Sequence, residues 1–218
     1  MTSRAAKYVT YGQWNLIVFV LVCVSLHPGL VLKGDEGGFS NYGIHIKTAI
    51  PYSLTYLICI AFTLVAINYV PRTTRAARTL VVLLYSYCVL CLFILVSTYG
   101  YTLNQPLRDV HGAFGLLAMV FDPAVSVWLF LQVKESLVAR VYLGIEIAGV
   151  ILGIIDIVNA AHVLFAAQAT VAFGFGLLLV RGTRRIVRES DEGAVLDARA
   201  HDAGARRLES STGDAFLD

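Results

Sequence analysis

Residues 79–101 read TLVVLLYSYCVLCLFILVSTYGY, 23 positions without one charged side chain. At 1.5 Å of rise per residue this run makes a helix about 34 Å long, enough to cross a hydrocarbon core of about 30 Å. Five other runs share its character, and the spans expected from sequence are about 13–32, 48–70, 79–101, 111–133, 141–158 and 162–180. Lipid offers backbone N–H and C=O groups no partner, so each run must be helical. The fold class expected is therefore all-α, a polytopic membrane protein built as a bundle of six transmembrane helices over residues 1–180. Composition agrees: 57% of the 218 residues are hydrophobic and only 15% charged, against about a quarter charged in soluble domains. Mean hydropathy is +0.71. A net charge of +2 supplies no field to recruit nucleic acid, so no such partner is expected.

Orientation follows from the short flanks, where Lys and Arg favour the cytoplasm. One set of flanks carries eleven: Arg4, Lys7, Arg72, Arg75, Arg78, Lys134, Arg140, Arg181, Arg184, Arg185 and Arg188. The alternating set carries three, Lys33, Lys47 and Arg108. Both termini are expected inside, in a plasma membrane or endomembrane. The first span lacks a small-x-small cleavage site after its apolar stretch and reads as a retained helix bent at Pro28. Residues 181–218 lose the apolar runs and turn basic, then acidic, which reads as a solvated, disordered cytoplasmic tail able to bind a partner there. The stretch from Arg181 to Arg188 could instead extend as a short amphipathic segment on anionic headgroups.

Ionisable residues inside a membrane face protein or water, because a charge at the midplane costs at least about 3 kcal/mol. Asp122 lies eleven residues into the fourth span, about 16 Å deep. It shares a small, polar stripe with His111, Gly115, Ala118 and Ser126, and Pro123 loosens the helix beside it. Glu146, Gly149, Gly153 and Asp156 make a second stripe on the fifth span, its glycines spaced for close packing. Glu146 is expected within about 8 Å of the cytoplasmic edge and Asp156 a similar distance from the outer one. The glycine face should meet either the Asp122 stripe or the Ala166, Ala169, Ala172, Gly176 face of the sixth span.

Topology sends His27, His45, His111 and His162 to the outer surface, together with Asp35, Glu36, Asn41, Asn104, Arg108, Asp109, Asp156 and Asn159. No H-x-x-x-H or H-E-x-x-H spacing accompanies them, so no metal site is assigned. Cys88-x-x-Cys91 lies mid-span among Val, Leu and Phe, and packing is its expected role, as for Cys23 and Cys59. Phosphate-loop, nucleophile-elbow and haem-attachment motifs are absent, and no cofactor is expected.

The first outer loop carries Phe39-Ser40-Asn41-Tyr42-Gly43 ahead of Pro51, and Asp109 with His111 opens the fourth span. With six spans and both ends inside, this resembles the Frag/DRAM/Sfk-type membrane proteins and their uncharacterised prokaryotic relatives, over residues 13–180. The insertion Gly34-Asp35-Glu36-Gly37-Gly38 departs from that pattern. The resemblance implies work on membrane lipids, such as lipid-anchor remodelling or lipid asymmetry, and names no catalytic residue.

From the residues, the first functional expectation is a binding protein rather than an enzyme. It would hold a lipid headgroup or small polar ligand in an outward-facing pocket walled by the first, fourth and fifth spans. Arg108 would meet anionic oxygen, its planar fork matching phosphate or carboxylate. Asp109, His111 and Asp156 would orient the ligand, with His27 and His162 beside them. One alternative is a membrane-embedded metal-dependent hydrolase using the same histidines. Another is a proton-coupled transporter working through Asp122 and Glu146, and a scaffold with purely structural polar residues is the fourth.

Overall fold

A computed structural model describes residues 3–31, 38–100, 105–159 and 162–213, with side chains through Ala194. Among these residues six helices are long and apolar enough to cross a membrane, and the chain is an integral, multi-pass membrane protein. In chain order they are α1 (Arg4–Leu26), α3 (Ala49–Ile67), α4 (Arg75–Gly100), α5 (Gln105–Gln132), α6 (Leu137–Asn159) and α7 (Leu164–Gly213). A six-residue helix, α2 (Phe39–Ile44), sits in the loop between α1 and α3. Of the outer-surface residues named above, Lys33, Asp35, Glu36 and Asn104 lie outside the described residues, as do four positions of the 34–38 insertion.

Helices α1, α3, α4, α5 and α6 follow one another in space, and α7 packs against α1, α4, α5 and α6. Large aliphatics such as Leu21, Val82, Leu116 and Ile157 face outward, the surface a lipid solvent requires. The main core gathers Val9, Ile67, Leu80, Leu84, Leu129, Phe175, Leu179 and Ile186 from five of the six long helices.

Helix starts follow local chemistry. The Ser3 hydroxyl accepts from Ala6 N–H, Thr74 from Ala77 N–H and Ser136 from Ala139 N–H, each satisfying an orphan donor of a first turn. The expected bend at Pro28 is instead a helix end. Proline has no N–H to donate and disfavours the helical region for the residue before it. Thus α1 stops at Leu26, His27 leaves the helical region at φ −150° and ψ 69°, and a single 3₁₀ turn spans Pro28–Leu30.

The last helix also differs from expectation, because it does not stop at Val180. Ile186 and Val187 join the main core, Ser190 is fully buried, and Thr74 Oγ1 lies 2.8 Å from Ser190 Oγ. Ion pairs Arg185–Glu189 and Arg188–Glu192 run along its exposed side at the spacing that supports a helix. The basic stretch is therefore packed structure, held by a buried stripe that its high charge density obscured.

Helix α2 plugs the end of the bundle away from the termini. Tyr42 is fully buried, Phe39 meets Phe19 and Phe165 edge-on, and Phe39 N–H donates to Gln168 Oε1 at 2.7 Å. Gly38 enters the plug at φ +57°, where a Cβ would also collide with the Gln168 amide. Gly38→Ala is expected to destabilise the protein by about 2 kcal/mol, since strain and a displaced hydrogen-bond partner act together. A thermal unfolding midpoint equal to that of the unmodified protein in the same detergent would dismiss this.

Candidate functional site

Helices α5 and α6 form a hairpin whose turn occupies 133–136. Asp122 lies ten residues before the last residue of α5, and Glu146 nine residues after the first of α6. At 1.5 Å per residue they stand about 15 and 14 Å from the turn, on one level. The expectation of three acids at three depths is revised for this pair. Helix α6 begins four residues earlier than expected, at Leu137, which sinks Glu146 deeper.

Glu146 is 1% exposed, and Ser126 on α5 is fully buried. The Ser126 hydroxyl faces the Glu146 carboxyl outside hydrogen-bond geometry, and among the described residues neither carboxyl oxygen of Glu146 has a hydrogen-bond partner. Asp122 lies within electrostatic range of Glu146, and its Oδ1 is shut off from solvent, likewise without a hydrogen bond. Also within electrostatic range of Asp122 are Cys59 of α3 and Tyr87 and Cys91 of α4. Tyr87 Oη is 3.6 Å from Cys59 Sγ, and its ring lies 5.4 Å from that of Phe175. The result is a small polar centre inside an apolar bundle, with two carboxyls, a hydroxyl and a phenol contributed by α4, α5 and α6. All four cysteines are free and buried.

Close helix approach holds this centre together. A Cβ at Gly174 of α7 would stand 2.7 Å from Glu146 N, and one at Gly149 2.7 Å from Val171 N. Small-residue contact of this kind is how helices associate where no hydrophobic force drives them together. The α6 glycines meet α7 through Ala167 and Val171, the expected helix but a different face, and Gly153 also meets Met119 of α5. Gly176 points instead to α1, where a Cβ would stand 2.6 Å from Gln13 Oε1. Gln13 itself is 8% exposed with neither amide atom hydrogen-bonded. It borders a groove of about 570 Å³ walled by Trp14, Ile17, Leu21, Phe173 and Leu177.

Several of the outer residues hold local structure. His111 is buried with Nε2 2.7 Å from Ser40 Oγ and Nδ1 2.9 Å from Ser97 Oγ, which ties α2 to α4 and α5. Asp156 accepts from Val163 N–H at 2.6 Å and so caps the start of α7. The His27 ring meets that of His45 at 4.1 Å between centroids. Arg108, Asp109 and His162 are exposed, Asp109 accepting from Gln105 Nε2 at 2.8 Å. Among the described residues no three His, Cys, Asp or Glu side chains group closely enough to hold a metal ion.

His111→Ala is expected to cost about 2 kcal/mol, since it removes both side-chain hydrogen bonds and leaves the buried Ser97 hydroxyl with only the Ile94 carbonyl. Limited proteolysis should then cut between α1 and α3 faster than in the unmodified protein. An unchanged cleavage rate would show that this imidazole does not hold the plug.

No protein-family model, curated protein or solved structure matches the chain. Its chemistry must be read from the centre alone. Asp122 and Glu146 were visible in the sequence as acids in apolar runs. Tyr87, Cys59 and Gln13 were not, since tyrosine and cysteine are ordinary in spans and Gln13 looked like the polar start of one. A sharper signal for Gln13 was the helical frame reaching back to Arg4, which puts this amide ten residues inside α1.

Proposed function

We propose that the protein is a proton-coupled carrier in which Asp122 and Glu146 take up and release protons at mid-membrane depth. The observation that carries this reading is Glu146, 1% exposed at a three-helix contact with neither carboxyl oxygen hydrogen-bonded. A purely structural acid would be expected to hold a cap or an ion pair, as Asp156 does with Val163 N–H. Intramembrane carboxyls that face the bundle interior are the usual elements of proton relays. A neutral carboxyl suits a closed, dry centre, and a charged one suits a centre open to water. Small movements of α6 against α7 would therefore couple proton occupancy to helix packing. Ser126, beside Glu146, and Tyr87, within electrostatic range of Asp122, would pass hydrogen bonds to the two acids once water or a substrate enters.

We further propose that both termini face the cytoplasm, on the eleven-to-three excess of Lys and Arg in the terminal-side flanks. Kinship with the Frag/DRAM/Sfk-type proteins, proposed on the Phe39–Gly43 signature, would make the co-transported molecule a lipid or a lipid fragment. The loop-end ligand reading keeps Arg108, Asp109 and His162 as its exposed groups.

The test is infrared difference spectroscopy of the protein in lipid across a pH titration, paired with proton flux in proteoliposomes. Carboxyl C=O bands that titrate, and that disappear one by one in Asp122→Asn and Glu146→Gln, are expected. Bands that neither titrate nor respond to either substitution would refute a proton-binding centre.

A further inference from the structure

A second cavity lies at the end of the bundle that carries the termini, about 410 Å³ in volume, between the α5–α6 turn and α7. Its charged wall is Lys134 together with Arg181, Arg184, Arg185 and Arg188, with Glu135 as the acid among its lining residues. At 100° per residue the four arginines fall within about a 100° arc of α7, so one helix face delivers them all. Arg185 and Arg188 are engaged by Glu189 and Glu192. Among the described residues Arg181 and Arg184 make no ion pair. Ser136, the N-cap of α6, also lines the cavity, so the positive end of that helix dipole adds to the field. The remaining wall is apolar, with Leu131, Leu177 and Val180 leading down toward the spans.

We infer that this cavity binds a phosphate-bearing anion, with Arg181 and Arg184 as its fork-shaped donors and Lys134 as a point charge. The chemistry is that of a phosphate mono- or diester. The apolar wall directly beneath the arginines favours a phospholipid, whose phosphate would sit among the guanidinium groups while its chains run along Leu177 and Val180. Such a site is independent of the carboxyl centre and would anchor the packed stretch 181–190 to the membrane surface.

The experiment is native mass spectrometry of the full chain released from nanodiscs of phosphatidylcholine doped with phosphatidylglycerol. One arm adds soluble glycerol phosphate and another inorganic phosphate. Retention of phosphatidylglycerol over phosphatidylcholine, weakened about thirtyfold in Arg181→Gln/Arg184→Gln but unchanged in Arg72→Gln/Arg75→Gln, is expected. Tight binding of glycerol phosphate or inorganic phosphate, lost in the same double variant, would support the anion site and assign it to a soluble source. Equal retention of the two lipids, or equal loss in both double variants, would overturn the proposal. Both pairs are at the surface, and matching thermal midpoints of the variants keep the comparison free of folding effects.

Discussion

Glu146→Gln is expected to reduce proton-driven flux in proteoliposomes by about a hundredfold or more while the protein still inserts and folds. The magnitude is that of losing a positioned proton donor and acceptor, typically 10²–10⁴-fold in rate. The fold should survive because glutamine keeps the volume of a side chain that is 1% exposed and removes a buried ionisable group. Glutamine cannot exchange a proton, so shape and chemistry separate in this one substitution. Asp122→Asn should do the same if the two acids act as a pair, and the double variant should be no worse than either single one. Flux within a factor of two of the unmodified protein in Glu146→Gln would end the carrier reading. It would leave Glu146 as a packing residue.

The largest effect on stability is expected at Gly174. Replacing it by leucine should destabilise the bundle by about 3 kcal/mol or more, because a Cβ there would stand 2.7–2.9 Å from Glu146 N, Cβ and Cα. Backbone atoms cannot rotate away, so α6 and α7 must part, and the packing around Glu146 loosens with them. Gly115 is the control. Nothing lies within 4 Å of a Cβ built there, so Gly115→Ala should be neutral or gain about 1 kcal/mol from helix propensity alone. Circular dichroism melts in one detergent compare the two. A Gly174→Leu protein that melts with the unmodified one would show that α6 and α7 are not held by this contact.

Much of the architecture was legible because lipid imposes a simple rule: about 20 apolar residues, then punctuation. Residues 79–101 satisfied it outright and became α4 with little change. The rule weakens where helices leave the hydrocarbon. Helix α1 starts at Arg4 and α5 at Gln105, both earlier than their apolar runs, because a helix can extend through polar residues beyond the hydrocarbon. Arg181 to Ser190 shows the same limit, since two buried aliphatics and a serine hold that stretch while its charges dominate any hydropathy average.

The site residues divide along similar lines. Acids in apolar runs announce themselves, so Asp122, Glu146 and Asp156 stand out in the sequence. Their roles do not, because a helix's own periodicity tells which residues share a face but not which neighbour that face meets. Asp156 turned out to cap α7, His111 to pin α2, and Asp122 to share a level with Glu146.

Composition and run length alone were enough to establish six crossings, an interior that must contain the ionisable groups, and a charge asymmetry between the two ends. Packing settled the partnerships: glycine-mediated approach of α6 to α7, the carboxyl pair, the α2 plug and the basic cavity. Hydrophobic burial is a one-body property that each segment carries in its own residues, whereas helix contacts in lipid are short-range, many-body matches of shape that exist only once every helix is in place.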